Sequence, residues 1–316
     1  MQNPVVFSIL TPMLILDAIF PIFILLLLGN LLKRFRITND VFLKTADKLV
    51  YYVFFPVMLF WKIGKAAPEL NQGFSLCLAA ITAVGIIYLL SLSAVKLFDM
   101  PRFKAGAFSQ SCYRFNTYIG MALVLNALGE PGIRYFGILI GFVIPIINVM
   151  AVSTLIWYSE KREGTGATVI HLSKALVSNP LILGCITGIL FSRSGLGFPA
   201  FIDNTFSLMT SVTMPLALIS IGGGLTVKGL KSNLFESALA TALKLLALPL
   251  AGYIMLLVFN ITGVPFKVGM IFFTLPTSTA IYVLSGQLNS DTQTASAIIL
   301  LTTLMSLISL SVALLI

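Results

Sequence analysis

Charge is scarce in this chain: charged side chains make up 10% of its 316 residues, against roughly 25% in soluble domains. With hydrophobic residues at 58% and a mean hydropathy of +1.02, a soluble globular fold is excluded. Cysteine is scarce too. Cys77, Cys112 and Cys185 are odd in number, widely separated and set within apolar runs, so a disulfide scaffold is excluded and buried small hydrophobes are expected. The one histidine, His171, cannot make a His and Cys metal site, and it reads as an interfacial residue. Also missing are a paired-aspartate motif, a Gly-x-Ser-x-Gly elbow and a phosphate-cradling loop, so neither a membrane hydrolase nor a nucleotide-driven pump is supported. The expectation is therefore no enzyme, no metal and no cofactor. A sodium or proton gradient remains as an energy source.

What is present is apolar length. Runs broken by charge or turn residues give spans near 13–32, 47–64, 73–97, 103–128 and 133–157, then near 171–192, 204–225, 234–259, 265–288 and 292–316. Each is close to the roughly 20 residues that cross a bilayer. The first basic residue, Lys33, follows the first run instead of preceding it, so that run is expected to stay as a membrane helix and not to be a cleaved signal. Asp17, near its start, reads as a solvated end residue. The expected organisation is a single membrane domain over 1–316: five helices at 13–157, a cytoplasmic connector at 158–170, and five more at 171–316.

Assigning alternate loops to opposite sides sorts the basic residues. Thirteen of the 20 Lys and Arg fall on one side, among them Lys33, Arg34, Lys96, Lys161 and Lys228, and five on the other; Arg114 and Lys244 lie inside spans. The positive-inside rule makes the richer side cytoplasmic and puts both termini outside, as expected of a multi-pass protein of the plasma (inner) membrane. The net charge of +9 belongs to those loops, and no nucleic-acid partner is expected.

The two halves resemble copies. Pro21 is followed eight residues later by Gly29, and 35 residues later by Pro56, itself followed at eight by Gly64; Pro180, Gly188, Pro215 and Gly223 repeat this spacing. FKAG at Phe103–Gly106 and FKVG at Phe266–Gly269 open the fourth and ninth spans. Since each half has an odd number of helices, the second copy must enter the membrane inverted. The expected fold is all-α, ten transmembrane helices in two inverted five-helix repeats, an architecture shared by many secondary transporters.

Polar residues interrupt the fourth and ninth spans. The fourth reads Gln110, Ser111, Cys112, Tyr113, Arg114, Phe115, Asn116, Thr117; the ninth reads Thr274, Leu275, Pro276, Thr277, Ser278, Thr279. Pro276 lacks the amide donor and clashes with the preceding turn, so it kinks or breaks its helix. Paired breaks would aim half-helix N-termini at a ligand near the bilayer midplane. Arg114, costing about 2.5–3.5 kcal/mol at a span centre, either captures an anion with its paired donors or ties down carbonyls of the break. Lys244 carries the same penalty. It either binds freed carbonyls or acts in coupling, as a titrating group or a built-in cation. Asn116, Thr117, Thr277, Ser278 and Thr279 could line a substrate site or coordinate sodium, while a lone Ser or Thr in such a helix bonds to its own backbone. Gln110 and Thr279 are candidates for coupling or structural support.

The stretches LVYYVFFPVMLF around Pro56, YRFNTYIG at Tyr113–Gly120, NPLILGCITGIL from Asn179, MPLALISIGGGL from Met214, KLLALPL from Lys244 and LPTSTAIYVLSGQLNSD from Leu275 resemble, in order and over essentially the whole chain, the auxin efflux carrier family of membrane transporters, in its bacterial type. The resemblance implies a ten-helix elevator with both termini outside, in which helices one, two, six and seven form the scaffold and a homodimer interface through helices two and seven, and the other six move. It places substrate where helices four and nine cross, here Asn116, Thr117, Pro276, Thr277 and Ser278. Plant members often have a proline before the Asn-Thr pair, where this chain has Phe115, and their central connector is long where this one is short. With Arg114 resembling the arginine of bacterial members, the expected substrate is a small organic anion, a mono- or dicarboxylate, more than auxin. An amino acid or neutral metabolite carrier, with Arg114 structural, and a channel or membrane sensor with gating kinks stay open.

Overall fold

The computed structural model describes residues 4–65, 70–159, 179–227 and 229–316, with side chains from Ile15 on in the first helix and from Gln72 on in the helix that starts at Leu70. Most of the central connector, His171, Lys228 and the start of the sixth expected span lie outside the described residues. Among the described residues there are helices and no strand. They are α1 (Pro4–Arg34), α2 (Asp40–Leu49), α3 (Phe55–Gly64), α4 (Leu70–Leu97), α5 (Arg102–Tyr113), α6 (Thr117–Tyr158), α7 (Pro180–Arg193), α8 (Ala200–Gly224), α9 (Leu234–Ala242), α10 (Leu248–Val258), α11 (Gly263–Thr274), α12 (Ala280–Gln287) and α13 (Thr292–Leu315). Six helical stretches are long and apolar enough to cross a membrane, while α7 and α11 are shorter apolar helices. Helix α1 begins at Pro4, ahead of the expected residue 13, because hydropathy marks the crossing and not the helix end. Asp17 accordingly sits within the helix, exposed.

Local chemistry explains the irregular points. Pro56 and Pro249 have no amide hydrogen to close an α-turn, and each follows a π-helical turn, Val50–Phe54 and Leu243–Ala247. There the amides of Phe55 and Leu248 reach back five residues, to the carbonyls of Val50 and Leu243, a widening that absorbs the missing donor. Gly129 interrupts α6 at φ 61°, ψ −150°, a conformation that glycine alone adopts without strain. It separates a short helix after Asn116 from the long apolar one that ends at Tyr158.

One group of helices packs backbone to backbone. A Cβ on Gly29 would lie 2.0 Å from the Ile219 carbonyl oxygen, and one on Gly222 would lie 1.9 Å from that of Leu26, so α1 and α8 touch main chain to main chain. In the contact of α3 with α7, a Cβ on Gly184 would lie 2.7 Å from the Pro56 oxygen, and one on Gly188 3.1 Å from that of Phe60. The contact of Gly29 with Ile219 answers that of Gly188 with Phe60. Gly188 and Gly29, and Ile219 and Phe60, each stand 159 positions apart. Pro21 and Pro180, and Pro56 and Pro215, keep that shift.

Candidate functional site

Both polar interruptions are true breaks of the helix. The first opens after Tyr113. Arg114 (φ −67°, ψ 150°) and Asn116 (φ −83°, ψ 102°) are extended, and the Asn116 Oδ1 accepts from the amides of Tyr118 and Ile119 at 3.1 and 3.2 Å to start α6. An N-cap of this kind restarts a helix without proline, which accounts for a break beside Phe115. The second opens at Leu275 (φ −62°, ψ 145°), because Pro276 pushes the residue before it out of the α region.

The breaks touch: the Asn116 amide donates to the Pro276 carbonyl at 2.9 Å. Phe115 packs edge-on against Phe272, with ring centroids 4.5 Å apart. The half-helices are tied as well, since Gln110 Nε2 donates to Ser285 Oγ on α12 at 2.9 Å. Helix α13 supports the second break from behind. Thr302 Oγ1 accepts from the Thr277 amide at 3.3 Å, and Ser309 Oγ donates to the Thr274 carbonyl at 3.0 Å.

The residues singled out in the sequence fall into this frame unevenly. Gln110, Asn116, Pro276 and Thr277 are buried at the contact, while Thr117, Ser278 and Thr279 are half-buried beside it. Ser278 Oγ accepts from the Ala280 amide at 3.3 Å and is partly engaged in restarting α12, whereas Thr279, at its N-cap position, makes no side-chain cap hydrogen bond. Arg114 is half-buried, with the side chains of Tyr51 and Tyr113 within electrostatic reach of its guanidinium. Lys244 lies in the π-turn before α10, wholly buried, with Cys112 of α5 within electrostatic reach.

Sequence reasoning missed Ser285, Thr302 and Ser309. A signal existed: Thr302, Thr303, Ser306 and Ser309 recur at helical spacing in an otherwise apolar span, marking a polar stripe.

Hydrogen-bond accounting gives the frame its chemical character. Half of the buried side-chain nitrogen and oxygen atoms without a partner among the described residues belong to five of these residues: Gln110 Oε1, Arg114 Nη1, Asn116 Nδ2, Thr277 Oγ1 and Lys244 Nζ. Buried polar groups are nearly always bonded, so such a concentration marks a place built for something other than packing. Neither Arg114 nor Lys244 is in an ion pair with any described residue; the pairs that exist are Lys33–Asp40, Lys62–Glu130, Lys65–Asp203 and Lys104–Glu236. Among the described residues, Lys244 Nζ makes no hydrogen bond to a carbonyl. What is left is a group of donors with no partner among the described residues: one guanidinium nitrogen, one carboxamide, one hydroxyl and, behind them, one amine. A hollow of about 160 Å³ between α6 and α7, lined by Ile138, Gly141, Phe142, Cys185 and Ile186, has no comparable polar lining.

Over residues 14–314 the chain matches the family described as membrane transport protein. It is 26% identical over 305 residues to an uncharacterised transporter of Methanocaldococcus jannaschii, covering 94% of this chain and 96% of the relative. It is 22% identical over 295 residues to a proposed malonate transporter of Rhizobium meliloti, covering 91% of each. A transporter of Methanothermobacter thermautotrophicus, also uncharacterised, is 24% identical over 302 residues, covering 93% of this chain and 95% of the relative. The chain therefore belongs to the membrane transport protein family, the family of the auxin efflux carriers, and is an integral membrane protein.

Proposed function

We propose that this family member is a secondary transporter that moves a small organic anion, a mono- or dicarboxylate, by elevator-type alternating access. The observation that carries the reading is the set of unpartnered donors at the meeting of two helix breaks, led by a guanidinium with no counter-ion. A carboxylate satisfies what this frame lacks: it accepts from Arg114 in a fork, from Asn116 Nδ2 and from the Thr277 hydroxyl. Two half-helices start beside it and direct their N-terminal partial charge to the same place. The proposed malonate transporter among the relatives has a substrate name of this chemical class.

In this reading ten membrane crossings form two inverted five-helix repeats, supported by the contacts that recur at a shift of 159 positions. The scaffold is α1, α3, α7 and α8, where backbones meet; a homodimer forms through the second and seventh helices. The helices that carry the breaks move with the substrate, and both termini lie outside the plasma (inner) membrane, in keeping with the distribution of Lys and Arg. A sodium or proton gradient drives the cycle.

The test is current from proteoliposomes on a supported membrane, challenged with mono- and dicarboxylates with and without sodium and proton gradients. A saturable current that disappears in Arg114→Ala is expected. Flux that rises without saturation would make the protein a channel, and saturable binding of neutral compounds alone would make Arg114 structural.

A further inference from the structure

Lys244 is the one group of the frame that stands behind the breaks instead of at them. Its π-turn, Leu243–Ala247, packs against α5 and α11, the helices that end at the two breaks, and against α13, which holds the second break through Thr302. It also packs against α4 and its own neighbours α9 and α10.

The titratable and charged side chains on those helices are Cys77, Tyr88 and Lys96 on α4, Arg102, Lys104, Cys112 and Tyr113 on α5, Glu236 on α9, Tyr253 on α10 and Lys267 on α11; α13 has none. Cys112, a buried thiol, is the one within electrostatic reach of Lys244. Glu236 is the one carboxylate, and it is engaged by Lys104 at 2.7 Å. An ammonium placed here therefore has, among the described residues, neither a counter-ion nor a hydrogen-bond acceptor, and a buried charge so placed is strongly disfavoured until a compensating charge arrives. An anion at the crossing supplies that charge. By linkage, whatever favours the ammonium when the anion binds makes the anion bind better when the amine is protonated.

Resting on the anion reading above, we propose that Lys244 carries the proton that travels with the substrate. The amine lone pair takes a proton from the side the site faces, one N–H bond forms, and carboxylate and ammonium cross together. On the far side the carboxylate leaves and the N–H bond breaks to return the proton. A monoanion then moves with no net charge and a dianion with one negative charge.

The experiment is malonate binding and uptake by the full chain in proteoliposomes between about pH 7 and about pH 10, where both malonate carboxyls stay ionised. In the unaltered protein, affinity is expected to fall with pH by up to about tenfold per unit, the slope of one linked proton. Uptake should also acidify the lumen. Lys244→Arg, which stays charged, should bind tightly with no slope, and Lys244→Met should bind weakly with no slope and without acidifying the lumen. Cys112→Ser should keep the slope. A flat profile in the unaltered protein, or the unaltered slope in either Lys244 variant, overturns the proposal and leaves the anion reading standing. Absence of carboxylate binding at every pH overturns both.

Discussion

The contact of α1 with α8 and the crossing of the two helix breaks are both tight, yet they are built on opposite principles. At the first, glycines let main chains approach so closely that a Cβ on Gly222 would lie 1.9 Å from a carbonyl oxygen, and packing alone sets the geometry. At the second, polar atoms of Gln110, Arg114, Asn116, Thr277 and Lys244 are buried with no partner among the described residues, which costs folding free energy. In the proposed reading, a region that forgoes stability in this way is where a ligand completes the structure. On that reading, the first region supports and the second binds.

The largest effect should come from breaking the support. Gly222→Leu, which drives a side chain into the Leu26 backbone, is expected to cost roughly 3 kcal/mol or to prevent folding, read as loss of the monodisperse peak or a fallen melting temperature. Gly85→Ala, with nothing within 4 Å of its Cβ, should change neither. At the crossing the sign is reversed. Arg114→Ala removes an uncompensated charge, so thermal stability should hold or rise while anion affinity falls by at least about 30-fold.

Between these lies Thr302→Val, which takes the acceptor from the Thr277 amide without touching substrate; a loss of about 1–2 kcal/mol in stability is expected. Anion affinity should weaken less than in Arg114→Ala. The smallest effect belongs to the surface. Lys33, 2.6 Å from Asp40, holds that carboxyl below the usual carboxylate range. A lowered carboxyl contributes stability above its unfolded value and loses it as pH falls through the folded value. Lys33→Ala should thus lower the melting temperature only slightly at neutral pH, and that small difference should vanish as pH falls through the carboxylate range; a neutral-pH drop comparable to that of Gly222→Leu would contradict the ranking.

The two regions also differed in how far the sequence disclosed them. The Pro and Gly spacing around Gly29, Gly64, Gly188 and Gly223 marked the support, since proline and glycine have few other reasons to recur at fixed distances. Which helix each glycine meets depends on packing between distant segments and was not written locally. At the crossing, Pro276 announced its own break by removing a donor. The other break depends on the Asn116 side chain and on a carbonyl 160 positions away, Pro276 O. Thr302 and Ser309 act on Thr277 and Thr274 across 25 and 35 positions, so their polar stripe could be seen but not its target. Arg114 and Lys244 stood out as charges in apolar runs, whereas their lack of partners is a property of three dimensions.

The most direct test is equilibrium binding of radiolabelled malonate and a panel of small mono- and dicarboxylates to the purified protein and to Arg114→Ala, each first shown to be folded. Saturable carboxylate binding by the unaltered protein, lost in the variant, is the predicted result. Equal affinity in the two proteins would contradict the assignment of the crossing as the anion site.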